Sequence, residues 1–298
     1  MSHHGRVRAT PEQIRRRRLV ALAVVLVAVV AAATAVAVAL PRTTRTTPTT
    51  TAVALPPPPK PFRIIFPEGF TRVQMADRVA AVAKIAERKK GKRVALAKRP
   101  YVKATATVSV PCFSPRKRTN VEGFLFPATY DFLAKTTAKQ LVAQQVAAFC
   151  RNWRRVNLAY ARSKNLTPYD VLKIASLVQG EAVVESDRPK IAAVVYNRLH
   201  LGMALGIDAA LRYALDIPGT ESIHESQLQN PTPFNLRLHA GLPPTPIDNP
   251  GLASLQAAAH PAHVDYLYYV AKPDKRHHFF TASASAFNQY KCAHGYGC

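Results

Sequence analysis

Acidic residues are scarce in this sequence, and so is sulfur. Seventeen Asp and Glu stand against 41 Lys and Arg, a formal net charge of +24 over 298 residues. Such a balance excludes a cationic partner as the main ligand and favours an anionic one: an acidic polymer, anionic lipid or nucleic acid. Nucleic acid is disfavoured in turn, because the chain has neither zinc-finger spacing nor an aromatic RNA-binding signature. The basic residues instead cluster at Arg15–Arg18, Arg88–Arg99 and Lys103–Arg118. No internal repeat is present, which excludes a solenoid. The four cysteines lack metal-site spacing, and the doublets His3-His4 and His277-His278 are isolated, so no metal site is expected.

Long apolar runs are also missing, with one exception. Leu19–Leu40 is almost wholly Leu, Val and Ala, without a charge. As a helix its 22 residues would reach about 33 Å, close to a bilayer core. It is long for a cleaved signal peptide, and the arginines before it predict a cytoplasmic N-terminus with everything after Leu40 outside. The expected location is therefore the cell membrane, single-pass, with an extracytoplasmic body. In that oxidising space the cysteines are expected to pair. Proximity couples Cys292 with Cys298, and elimination then couples Cys112 with Cys150.

The expected organisation is a basic cytoplasmic tail (1–18), a transmembrane helix (19–40), a Pro/Thr-rich linker (41–60), a small α+β module (61–118) and a larger domain (119–298). Phe62–Phe66 reads as a strand, and Thr71 caps a helix over Val73–Arg88. Lys89–Arg99 reads as a basic loop, and Thr105–Val110 as another strand. Thr136 or Thr137 opens a helix through Ala138–Val156. Leu211–Leu215 is ambiguous, and Pro231–Asn249 is a proline-rich loop of a length that is often functional. A helix is expected from Asn249-Pro250 to Pro261, then strands at Tyr266–Ala271 and His278–Thr281 and a short helix over Ser283–Lys291.

Two helical patterns meet at Glu181. The first opens with Thr167 as N-cap, Pro168 and Asp170. The second begins near Ser186-Asp187, repeats Ile191, Val194, Val195 and Leu199 at helical spacing, and ends at Gly202. Glu181 closes an apolar run, where desolvation would raise its pKa and keep a proton available near neutral pH. On spacing alone, a solvated junction acid is the simpler reading.

Five blocks in order change the weight of that reading: Phe66–Ala76 (FPEGFTRVQMA), Glu122–Tyr130 (EGFLFPATY), Ile174–Leu199 (IASLVQGEA…ESDRPKIAAVVYNRL), Thr232–Pro244 (TPFNLRLHAGLPP) and Asn249–Thr281 (NPGLASLQAAAHPA…YLYYVA…HHFFT). Over roughly Phe62–Tyr290 the chain resembles the YceG-like family of membrane-anchored endolytic murein transglycosylases. The resemblance implies an α+β protein with a single-span anchor, a small LysM-like module over 61–118 and a catalytic α+β domain over 119–298. It implies peptidoglycan glycan strands as substrate, peptidoglycan synthases as candidate partners and no cofactor. Its catalytic glutamate falls on Glu181. Many relatives carry a second Glu two residues earlier, where this chain has Gln179.

Candidate substrate-binding positions follow from the same blocks. Asp208 matches an acid in an LQxD segment, although the preceding Gln is Gly206 here and the following Pro is Ala209. Asn197 would orient Glu181 or a sugar N-acetyl group, or else bond a nearby loop. Asn235 has a sugar-binding or a turn role. His278 would hydrogen-bond substrate or be structural, and Glu122 would brace the site or form a buried pair. Glu185 lies four residues from Glu181 and shares its face if the helix continues. The expected activity is cleavage of the MurNAc–GlcNAc bond with one Glu as acid and then base. The rivals are a non-catalytic wall-binding scaffold and a hydrolytic muramidase using Asp208 or Glu185. An aminodeoxychorismate lyase would need pyridoxal phosphate, and no lysine context points to a Schiff base.

Overall fold

The computed structural model describes residues 12, 15–16, 20–30, 59–91, 93–115 and 117–297. Residues 20–30 are helical, with apolar side chains from Val20 to Val30 exposed. No helix among the described residues is long and apolar enough to cross a membrane. The expected span over 19–40 extends outside the described residues, as do most of the tail and linker.

Residues 58–298 form one compact unit. Its longest helices start at threonines for one reason. Thr71, Thr137 and Thr167 each accept a hydrogen bond from the backbone N–H three residues on, and the side chains of Gln74, Gln140 and Asp170 bond back to the threonine N–H. These capping boxes satisfy N–H groups that a helix leaves unpaired. They set the starts of α1 (Arg72–Lys90), α3 (Ala138–Trp153) and α5 (Pro168–Glu181). Helix α1 ends at Gly91, whose φ of +64° lets its N–H return to the Glu87 carbonyl.

Strand β1 (Phe62–Ile65) pairs antiparallel with β4 (Thr129–Phe132), in the register Phe62 to Phe132. The rings of that first pair stack at 5.5 Å. This pairing joins the segments expected as 61–118 and 119–298 into one ladder. Between them lie α2 (Lys98–Ala104) and the short pair β2 (Val108–Ser109) and β3 (Lys117–Arg118). The expected basic loop thus has helical ends, because Lys89 and Lys90 extend α1 and Lys98 opens α2. Tyr101 of α2 is wholly buried, and its hydroxyl donates to Gln145 Oε1 of α3 at 2.7 Å. The expected Cys112–Cys150 disulfide ties the β2–β3 region to α3. Cys292 is also disulfide-bonded, and its expected partner Cys298 lies outside the described residues.

After α4 (Ala159–Ser163), helix α5 runs into a 3-10 turn at Glu185–Asp187 and then α6 (Arg188–His200). Helix α5 packs against α6 and against α9 (Leu252–Ala259). Leu172, Ile174 and Leu177 are fully buried there, each contributing about 1.5–3 kcal/mol of apolar transfer. The ambiguous Leu211–Leu215 is the end of α7 (Asp208–Leu215), followed by α8 (Glu225–Leu228). Helix α9 starts later than Asn249-Pro250, because Asn249 is held by the Leu125 N–H, the Phe70 carbonyl and Glu122. Strands β5 (Tyr268–Ala271) and β6 (His278–Thr281) pair antiparallel, and α10 (Ala284–Ala293) covers them.

Candidate active site

Glu181 is the last residue of α5, and Ala182 is already extended (φ −81°, ψ 118°). The carboxyl therefore leaves the helix end toward β5 and the start of α7. It lines a cavity of about 690 Å³ together with Arg198, Asp208, Arg237, Tyr269 and His278. The Tyr269 hydroxyl donates to Glu181 Oε2 at 3.2 Å. Burial pushes the Glu181 pKa up to about 7, opposed by the Tyr269 hydroxyl, raised further by the charge of Asp208, and opposed again by the Ala209 N–H and Arg212. A helix C-terminus also disfavours a negative charge. Near neutral pH this carboxyl can give a proton and take one back.

Asp208, the first residue of α7, is engaged differently. Arg237 grips it with a two-pronged fork, Nε to Oδ1 at 2.6 Å and a terminal nitrogen to Oδ2 at 2.8 Å. The bidentate pair raises the Arg237 pKa and fixes both carboxylate oxygens. His278 opens β6 with its side chain 8 % exposed. Its N–H donates to Asp187 Oδ2 at 2.8 Å, and its Nδ1 stands 3.1 Å from the same oxygen. Its ring meets Tyr269 edge-on at 5.4 Å. Arg198 donates from Nε to the Leu267 carbonyl at 2.6 Å and from a terminal nitrogen to the carbonyls of Ala204 and Leu205, clamping the approach to β5. At the neighbouring Gly206 (φ +64°), a Cβ would stand 3.2 Å from that guanidinium. The Gln expected at this position would therefore be strained here and would crowd Arg198.

Of the six predicted positions, Glu181, Asp208 and His278 thus meet at one cavity, and three do not line it. Asn197 donates its amide to the carbonyls of Val264 and Tyr266 at 3.0 and 2.9 Å; it bonds the loop leading into β5, as its second reading had it. Asn235 is fully buried. Its amide donates to the Leu228 and Asn230 carbonyls, and its Oδ1 accepts from the Arg237 N–H, so it shapes the turn that presents Arg237. Glu122 is 3 % exposed and accepts from the Arg72 N–H, the Asn249 amide and the Tyr213 hydroxyl. Glu185 falls in the 3-10 turn beyond the end of α5, off the continued helix face.

Sequence reading passed over Arg237, Tyr269, Arg198 and Asp187. Arg237 and Tyr269 lie inside the blocks TPFNLRLHAGLPP and YLYYVA, where the loop offers Asn235 as the candidate and the strand offers none. Strand alternation was the available signal for Tyr269, since one of Tyr268 and Tyr269 must turn toward Glu181. Among the described residues no group of three or more His, Cys, Asp or Glu could hold a metal ion.

A sequence model of the YceG-like family matches residues 39–292. Over 173 residues the chain is 36 % identical to the endolytic murein transglycosylase of Streptococcus pneumoniae R6, covering 56 % of this chain and 31 % of that protein. Over 166 residues it is 33 % identical to the endolytic murein transglycosylase of Bacillus subtilis 168, covering 56 % of this chain and 46 % of that protein. The matched stretch thus spans less than half the length of either relative. The fold is similar to the crystal structure of a yceG-like protein of Listeria monocytogenes, with a TM-score of 0.64 and 28 % identity over 77 % of this chain and 76 % of that one.

Proposed function

The chain belongs to the YceG-like family, and from that premise we propose that it is a lytic transglycosylase that cuts within peptidoglycan glycan strands, with Glu181 as its single acid–base residue. The observation that carries this reading is one carboxyl with a pKa near 7, facing a cavity and unpaired with any cation among the described residues, while the other nearby carboxyl, Asp208, is held on both oxygens by Arg237. Ordinary glycosidases use two available carboxyl groups. A lytic transglycosylase needs one, because the substrate brings its own nucleophile.

Protonated Glu181 gives its proton to the oxygen bridging N-acetylmuramic acid and N-acetylglucosamine. The C1–O bond breaks, and the leaving sugar departs as an alcohol. The Glu181 carboxylate then takes the proton from the muramic C6 hydroxyl as that oxygen bonds to C1. The products are a 1,6-anhydro end and a new non-reducing end, and Glu181 regains its proton. The internal attack is already positioned, so no water has to be held. Tyr269 stabilises the carboxylate between the two transfers.

We further read Leu19–Leu40 as a membrane anchor, residues 61–118 as a LysM-like wall-binding part, and the body as extracytoplasmic. The Cys112–Cys150 disulfide supports an oxidising location. A hydrolytic muramidase is the second reading, favoured by Asp208 in the same cavity. Mass spectrometry of purified glycan strands treated with the full chain separates the two. Anhydro ends from the wild type and none from Glu181→Gln are expected; reducing ends would establish hydrolysis, and no cleavage by folded wild type would favour a scaffold.

A further inference from the structure

A second cavity, of about 240 Å³, opens on the other side of the Glu181 junction. Thr71, Gln74, Gly180, Ala209, Arg212 and Asp248 are among the residues that line it. Gly180 and Ala209 are the chain neighbours of Glu181 and Asp208, which line the first cavity. The end of α5 and the start of α7 therefore form a saddle between the two hollows. Glycine at position 180 lets the two elements pack closely, since a Cβ there would stand 3.1 Å from the Cβ of Ala209.

Asp248 is the unexplained group here. It is 4 % exposed, and its Oδ1 has no hydrogen-bond partner among the described residues. An unpaired buried carboxyl is costly, and the proposed acid–base chemistry gives it no role. Its other oxygen, Oδ2, would lie 3.8 Å from a Cβ at Gly69 and 3.8 Å from one at Gly180, which sets the carboxyl directly under the saddle. Burial, with the charges of Glu122 and Glu68 added, raises its pKa well above the usual range. A neutral carboxyl offers one donor and one acceptor, the complement of a hydroxyl or an acetamide. The cavity falls somewhat below the usual size of a ligand site, about 300 Å³ upward, and so suits one ring rather than a chain.

We propose that this second cavity is a subsite for one amino-sugar ring of the glycan strand, lying across the Glu181–Asp208 saddle from the first cavity, with Asp248 as the group that hydrogen-bonds the ring's hydroxyl or acetamide. The proposal rests on the glycan-cleaving reading above and gives it a consequence. A catalytic acid between two hollows accepts a strand running through in both directions, as cutting away from chain ends requires. Asp248 is a binding residue that never meets the reacting atoms.

The test measures binding separately from cleavage. Tri-N-acetylglucosamine is titrated calorimetrically into the full chain carrying Glu181→Gln, alone and combined with Asp248→Leu, Asp248→Asn or Gln74→Trp. Gln74 lines the cavity and is exposed at the start of α1, where its Oε1 accepts from the Thr71 N–H; a tryptophan there would crowd the cavity and give up that one cap bond, so the fold is checked by circular dichroism. Asp248→Leu and Gln74→Trp are each expected to weaken binding about tenfold or more, and the amide of Asp248→Asn to restore most of it. Unchanged affinity in Asp248→Leu and Gln74→Trp overturns the subsite, whatever the enzyme cuts. Should wild type release no anhydro ends while the binding pattern holds, the reaction reading fails and the subsite stands. Loss of binding in Gln74→Trp alone assigns the cavity to the sugar and removes Asp248 from it.

Discussion

Glu181 and Glu122 are two glutamates that burial drives to the same pKa, about 7, in surroundings that make them opposites. Three donors converge on Glu122: the Arg72 N–H, the Asn249 amide and the Tyr213 hydroxyl. Its carboxyl is committed to joining α1, α7 and the 249 loop. Glu181 has the Tyr269 hydroxyl, the Ala209 N–H and a cavity. A displaced pKa therefore does not distinguish a working acid from a structural one. Unspent lone pairs facing an opening do.

The largest effect that would test this contrast is on turnover. Glu181→Gln is expected to lower the rate of anhydro-end formation by about 10²–10⁴-fold, with the fold intact by circular dichroism, whereas Glu122→Gln should leave much of the rate in whatever fraction folds. Equal losses in the two folded variants would erase the distinction. Stability should respond in the reverse order. Glu122→Ala leaves three donors facing a void and is expected to cost about 3 kcal/mol or more in denaturant unfolding, against less than about 1 kcal/mol for Glu181→Gln.

The pH response sharpens the comparison. For both acids the folded pKa is raised from about 4.5 to about 7, so the folded state binds the extra proton between those values. Stability from these groups is highest below about pH 4.5 and falls as pH rises to 7. Glu122→Gln should flatten that slope in unfolding measured across the window. Activity should fall as pH rises through about 7, where Glu181 loses its proton. Tyr269→Phe removes a donor to the carboxylate, so the descending limb should move to higher pH. A limb that stays in place would mean that Tyr269 does not touch the working acid. The smallest expected effect is at Arg237→Ala. Freeing Asp208 should raise the Glu181 pKa slightly and change KM by about two- to fivefold, since both side chains of the fork are partly exposed.

Much of this was legible in local chemistry. The Thr-Pro-x-Asp start of α5, the Thr caps of α1 and α3, and the strand at His278–Thr281 are short-range signals, and each fell where the residues placed it. Glu181 was readable as an acid ending an apolar run. What remained hidden depends on contacts between residues far apart in the chain. Asn197 and Asn235 carry side chains that suit a sugar as well as a carbonyl, and only the position of residues 228–230 and 264–266 decides that carbonyls hold them. Arg237 is one arginine among many until the fold brings Asp208 to it from 29 positions away. Gln179 reads as a lost carboxyl, yet its Oε1 accepts from the Gly251 N–H and the Ser254 hydroxyl, and its side chain and Asp248 both come within 4 Å of a Cβ at Gly69. A glutamate there would set a negative charge close to the buried carboxyl of Asp248, whose Oδ1 already lacks a partner among the described residues.

Strand β1 is the first element of the compact unit, so the order of its contacts has a mechanical meaning. A pull applied at Phe62 is resisted by four residue pairs with β4 and by the stacked rings of Phe62 and Phe132. The next links inward are the Phe66 N–H on the Ala128 carbonyl and the Gly69 N–H on the Asn249 carbonyl. Beyond them stand Gly69 and Thr71, in the wall of the second cavity. A load at Phe62 would thus slacken that wall before it disturbed α5, whose C-terminal Glu181 accepts a hydrogen bond from Tyr269 of β5, far along the chain.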